Sequence, residues 1–90
     1  MIQPSGDFDL QVYPNPANSE VQISLSIPEK QKVNLSAYTI DGKLVTTLQD
    51  GMIDQGTHHY LFGKGLLPGT YLLRVNSASA KSDRKIILLN

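Results

Sequence analysis

Apolar side chains recur along this chain every second residue, and no stretch carries the three-to-four spacing of an amphipathic helix. Val21, Ile23, Leu25 and Ile27 alternate with Gln22, Ser24 and Ser26, which predicts a strand with one buried face. Val33, Leu35 and Ala37 alternate with Asn34 and Ser36, and Tyr38 and Ile40 follow. The parity changes near Ala37, so a bulge or a strand end is expected there. Asp41-Gly42 is a hairpin signal between two β-like runs, and residues 43–48 form the return strand. Residues 49–55, with Gly51 among them, read as a loop. Gly56 opens a β-branched and aromatic run ending at Phe62, and residues 63–69 form a second loop with a Pro-Gly turn. Residues 70–75 are the most strand-like stretch, 76–79 a turn, and 80–89 a last strand ending in Ile86-Ile87-Leu88-Leu89. A short strand at 10–13, stopped by Pro14, precedes them all.

Seven short strands spaced by about 8–12 residues, with turn residues between them, predict an all-β chain. The expected fold is a seven-stranded antiparallel β-sandwich of immunoglobulin-like outline, with a small barrel as the alternative. The Cys–Trp–Cys signature of true immunoglobulin domains is missing, so only the architecture carries over.

Composition narrows the picture. Ninety residues suit one domain: a flexible N-terminal tail or linker at 1–9, rich in turn formers, and a folded unit at 10–90. The net charge is zero, so no global field attracts nucleic acid or an anionic membrane. The charge is nevertheless split, −4 over residues 1–54 and +4 over residues 55–90. With no cysteine there is no disulfide, thiol nucleophile or cysteine metal site. No apolar run approaches the roughly 18 residues of a spanning helix. The opening residues lack the basic and apolar regions of a signal peptide.

Candidate chemistry is sparse. His58 and His59 are adjacent in a strand and point to opposite faces, so they cannot chelate one ion together. Asp50 and Asp54 flank a loop without the alternating oxygen ligands of an EF-hand. No serine sits in a Gly-x-Ser-x-Gly elbow. No catalytic residue, metal site or cofactor is assigned. Other residues carry shape. In Tyr13-Pro14-Asn15-Pro16 both prolines fix φ and Asn15 can bond to nearby backbone, which makes a rigid turn between tail and fold. Gly42 and Gly69 are placed in tight turns that need positive φ. Tyr71, Leu73 and Val75 share one strand face, with Tyr71 a core aromatic whose hydroxyl reaches the rim; Arg74 faces the other way.

Four stretches in order, "YPNPAN", "LSAYTIDGKLV", "GLLPGTYLLRV" and "KSDRKIILLN", resemble the C-terminal sorting domain of the type IX (Por) secretion system, type A. The resemblance spans residues 12–90. It implies a non-enzymatic signal on a fused N-terminal cargo of a Bacteroidetes-type bacterium. Such a domain is recognised in the periplasm and directs its cargo through outer-membrane secretion machinery. A sortase-like peptidase then removes it and joins the cargo to surface lipopolysaccharide, so the protein ends at the outer membrane and cell surface or is secreted. The cut is expected in the tail, where an extended segment is accessible. Arg74, Lys81, Arg84 and Lys85 become candidate receptor contacts. One route is edge addition to the last strand, with backbone bonds giving affinity and basic side chains selectivity. The bland reading of the same residues is a solvated edge protected by charge. Edge strands also allow strand exchange between copies, a route to a homodimer. The rival readings are a surface adhesion or carbohydrate-binding sandwich, argued against by the lack of tryptophan, and a small hydrolase, for which no nucleophile motif exists.

Overall fold

The computed structural model describes residues 9–77 and 81–89. Seven strands follow in chain order: β1 (Asp9–Tyr13), β2 (Val21–Ile27), β3 (Gln31–Thr39), β4 (Leu44–Ile53), β5 (Gly56–Phe62), β6 (Gly69–Ser77) and β7 (Lys81–Leu88). They form two antiparallel sheets, a three-stranded one ordered β1-β2-β5 and a four-stranded one ordered β4-β3-β6-β7. The sheets pack face to face as a β-sandwich. The trio β3-β6-β7 lies as strands C, F and G do in immunoglobulin-type sandwiches. The expected tail falls on residues outside the described set except for Asp9, which opens β1.

The alternation in the sequence becomes the core. Val21, Ile23 and Leu25 of β2 face Val33, Leu35 and Ala37 of β3, Leu73 and Val75 of β6, and Ile86 and Leu88 of β7 within one buried cluster. Burying a Val, Leu or Ile side chain contributes about 1.5–3 kcal/mol each, and this term drives the two sheets together.

Two boundaries differ from expectation. Residues 49–53 are strand rather than loop, because β4 pairs along β3 as far as Gln31↔Ile53. An edge strand tolerates the polar Gln49 and Asp50 and a glycine, Gly51, opposite Val33, so the sequence looks like a loop there. At the other end β6 runs on to Ser77, which shortens the turn expected at 76–79; residues 78–80 lie outside the described set.

β3 keeps its alternation past Ala37, pairing with β6 without a break from Val33↔Ser77 to Thr39↔Tyr71 with Tyr38 on the outer face beside Arg74, and the bulges lie instead in β4. Leu35 pairs with Gln49 but Ser36 with Thr47, and Ala37 pairs with Thr46 but Tyr38 with Leu44. The skipped residues, Leu48 and Val45, turn inward and pack against the core. The hairpin between β3 and β4 also differs in detail. A two-residue turn centred on Asp41-Gly42 would need positive φ at both positions, yet among the described residues only glycines have positive φ. Instead Gly42 donates to the Thr39 carbonyl (2.9 Å) and itself takes φ 94°, so Ile40, Asp41 and Gly42 form a three-residue loop closed by Thr39 N–H to the Lys43 carbonyl (2.8 Å). The Thr39 hydroxyl donates to Asp41 and accepts from the Lys43 N–H, fixing the loop.

Candidate functional site

The basic residues singled out in the sequence lie on β6 and β7, where the register is Leu72↔Lys85, Arg74↔Asp83 and Asn76↔Lys81. Cross-strand partners share a face, so Arg74, Lys81 and Lys85 project from the outer surface of the four-stranded sheet. Arg84 has the opposite parity. Its guanidinium folds back along the strand, donating to the Ser82 hydroxyl and the Asp83 carbonyl, both at 2.9 Å. The quartet is thus three residues and one, not a single patch.

Arg74 is engaged as well. Its Nε donates to Asp83 Oδ1 at 3.0 Å and a terminal nitrogen to Oδ2 at 3.4 Å, while the guanidinium carbon lies 5.6 Å from the Tyr38 ring centroid. The hydrogen bond to Asp83, then the charge of the same carboxylate, pushes the Arg74 pKa up. An open depression of about 390 Å³ lies beside this pair, lined by Arg74, Asn76, Lys81, Ser82 and Asp83.

The outer edge of β7 is where the Tyr13-Pro14-Asn15-Pro16 turn lands. The Asn15 carboxamide donates to the Lys85 carbonyl (2.7 Å) and accepts from the Ile87 N–H (3.0 Å). Two residues on, the Ala17 N–H donates to the Ile87 carbonyl (2.9 Å) and the Ala17 carbonyl accepts from the Leu89 N–H (2.7 Å), a parallel bridge. Asn15 therefore bonds not to nearby backbone but across 70 and 72 residues of sequence. Its planar amide presents one of its two N–H donors and its carbonyl oxygen to the strand, as a peptide group would, and so continues the pairing that Ala17 makes with true backbone. Both X–Pro bonds of the turn are cis. This strap, residues 13–20, closes the flank where β1 and β7 meet. Edge addition along the whole of the last strand thus encounters an occupied edge at residues 85–89.

Behind the strap, Gly63 approaches so closely that a Cβ there would sit 2.7 Å from the Ser19 carbonyl oxygen and 3.2 Å from a Leu88 methyl. Nothing in the local sequence marks this contact. Gly69 takes positive φ, 148°, but opens β6 opposite Leu88 rather than lying within a turn. Tyr71 is buried, edge-on to Phe62 with ring centroids 5.6 Å apart, and its hydroxyl donates to the Leu67 carbonyl at 2.6 Å. A tyrosine at the start of the F-equivalent strand, bonded to backbone a few residues upstream, is the tyrosine corner of immunoglobulin-type sandwiches.

The opposite flank stays open. Between β4 and β5 runs a groove of about 290 Å³ whose walls include Val45, Leu48, Leu61 and Leu66. At its far end Tyr60 donates to Gln49 Oε1 (3.1 Å), joining the sheets, and burial pushes the Tyr60 pKa up. His58 bonds through Nε2 to the Asp54 carbonyl (2.7 Å), whereas His59 pairs with Ser24. Among the described residues no three His, Cys, Asp or Glu side chains converge on one point. Tyr13 is 42% exposed in a cross-strand row with Gln22 and Leu61, so one tyrosine does present its ring to solvent.

No curated protein matches the chain. A family model described as the secretion system C-terminal sorting domain matches residues 11–89, from β1 to the last residue that the strap bonds. The chain belongs to that family, the C-terminal sorting domains of the type IX secretion system.

Proposed function

We propose that this sandwich acts as a folded address, read by the outer-membrane secretion machinery, for a cargo fused to its N-terminal side. In this reading the protein crosses the periplasm, is exported to the cell surface or the medium, and loses the domain to a sortase-like peptidase acting in residues 1–9. The observation that carries it is the family match over residues 11–89. A sorting-domain family is not a catalytic one, and the reading needs no chemistry from the domain. Its shape is what is recognised. Lys81, Arg84 and Lys85 are the proposed receptor contacts, with Arg74 contributing as an ion pair with Asp83 rather than as an unpaired cation.

The test is a periplasm-directed reporter fused to the chain. Deleting residues 81–90 should trap the reporter in the periplasm. The double variant Lys81→Glu/Lys85→Glu, which leaves the core untouched, should lower export about tenfold with an unchanged circular dichroism spectrum. Undiminished export of both would end the proposal. A glycan array probed with the same chain separates it from the carbohydrate-binding reading: selective binding lost in Tyr13→Ala would favour the rival.

A further inference from the structure

Four strands of the sandwich have an edge, and three are blunted by their own sequence or geometry. β1 is five residues long and ends at Pro14. β4 is broken twice by bulges. β5 faces β4 across the groove and is tied to it by the Tyr60–Gln49 bond. β7 is guarded by charge only over Lys81–Lys85, and it pairs with β6 without a register break from Asn76↔Lys81 to Gly69↔Leu88. From Lys85 to Leu89 the sequence reads KIILL. Those five residues hold two β-branched isoleucines, two leucines, one charge and no proline, a composition that favours adding strands edge to edge. The outward-facing backbone groups of this stretch, Lys85 C=O, Ile87 N–H and C=O, and Leu89 N–H, are the four taken by Asn15 and Ala17.

We propose that residues 15–17 are a built-in plug on this edge, and that the occupant they exclude is β7 of a second copy of the chain. An antiparallel two-fold pairing of two β7 edges can place Asp83 of each copy opposite Lys85 of the other, which gives the contact charge complementarity. The same register sets the two Arg84 side chains opposite each other, so the contact is weak and the intramolecular plug outcompetes it. The plug owes half of its bonds to one side chain, because the proline on each side of Asn15 supplies no N–H. Asn15 therefore decides whether the edge is closed. The inference stands apart from the export reading, since it concerns the isolated chain.

The experiment is made on the 90-residue chain with Asn15→Ala. Exchange of the Ile87 and Leu89 amides should speed up about tenfold or more, as expected for loss of at least one net hydrogen bond, while Leu35 and Val75 stay protected. Sedimentation should then show concentration-dependent association that the parent chain lacks. Adding Ile87→Pro should restore the monomer. The Ile87 N–H points away from β6, so proline removes the outward donor and spares the β6–β7 ladder. If Asn15→Ala does not fold, Asn15→Asp keeps the acceptor for the Ile87 N–H but sets a carboxylate oxygen against the Lys85 carbonyl, and is read in the same way. Three results overturn the proposal: unchanged exchange at Ile87 and Leu89, open amides with a monomer at every concentration, or association that Ile87→Pro leaves intact.

Discussion

Gly63 and Gly65 stand two residues apart in the β5–β6 loop, and comparing their alanine variants isolates one contact. Gly63 has φ 122° and Gly65 φ 82°, so alanine is strained at both. The space around them differs. A Cβ at Gly65 meets nothing within 4 Å, whereas one at Gly63 lies 2.7 Å from the Ser19 carbonyl oxygen, 3.2 Å from a Leu88 methyl and 3.3 Å from the Glu20 Cα. Backbone atoms of Ser19 and Glu20 cannot swing aside as a side-chain tip can, so the strap itself must shift. Gly65→Ala should cost about 1–2 kcal/mol, the left-handed penalty alone. Gly63→Ala should cost that much plus about 1–3 kcal/mol for overpacking. With a urea m-value of about 1–3 kcal/mol/M, the two midpoints should differ by on the order of 1 M. Urea unfolding followed by circular dichroism gives both midpoints. Amide exchange adds a spatial check, since Gly63→Ala should loosen Leu89 and Ala17, and Gly65→Ala should not. Equal midpoints would refute the reasoning, because they would mean that the close approach of loop and strap contributes nothing.

Other outcomes follow from the core and the rim. Leu73 is fully buried in β6 between β3 and β7, so Leu73→Ala should cost about 2.7–5 kcal/mol, whereas Leu61→Ala, at a 59% exposed position, should stay within about 0.5 kcal/mol in the same denaturation assay. Tyr71→Phe removes the bond to the Leu67 carbonyl and should cost about 1 kcal/mol with an unchanged m-value. Tyr60 keeps its proton more tightly in the fold than its ordinary value of 10.0 allows. The folded chain then binds more protons than the unfolded one above that pH, so this contribution is complete below pH 10 and is lost as pH rises through the folded value. Thermal melts in alkaline buffers should show the loss, and Tyr60→Phe should flatten it.

The strands were readable wherever burial on one face imposed alternation. β2 and β6 stand out because every second residue must be apolar to reach the core. β4 was readable only in its first half, because Gln49, Asp50 and Gly51 sit on an edge where solvent replaces the packing that would have selected apolar residues. The parity change at Ala37 reflects Tyr38 on the outer face rather than the bulges, and the residues that the bulges turn inward, Val45 and Leu48, lie on the partner strand and carry no mark. The functional residues divide in the same way. Tyr13-Pro14-Asn15-Pro16 was legible as a rigid turn because proline acts locally. Its target was not, since a carboxamide gives no sign that its partners lie 70 residues away. The basic run of β7 suggested one strip, yet alternation sends Arg84 to the other face, and Asp83, the neighbour that pairs with Arg74, reduces its availability.

Membership of a type IX sorting family places the chain in export across the outer membrane, to the cell surface or beyond it. The most direct measurement is the share of a reporter found outside the outer membrane in a type IX-competent cell, with and without residues 1–90 at its C-terminus. The account predicts reporter outside only when the domain is attached, and reporter retained when a buried charge, Leu73→Asp, unfolds it. Equal amounts outside in both cells, or undiminished export of the unfolded variant, would contradict the claim that a folded shape is the signal.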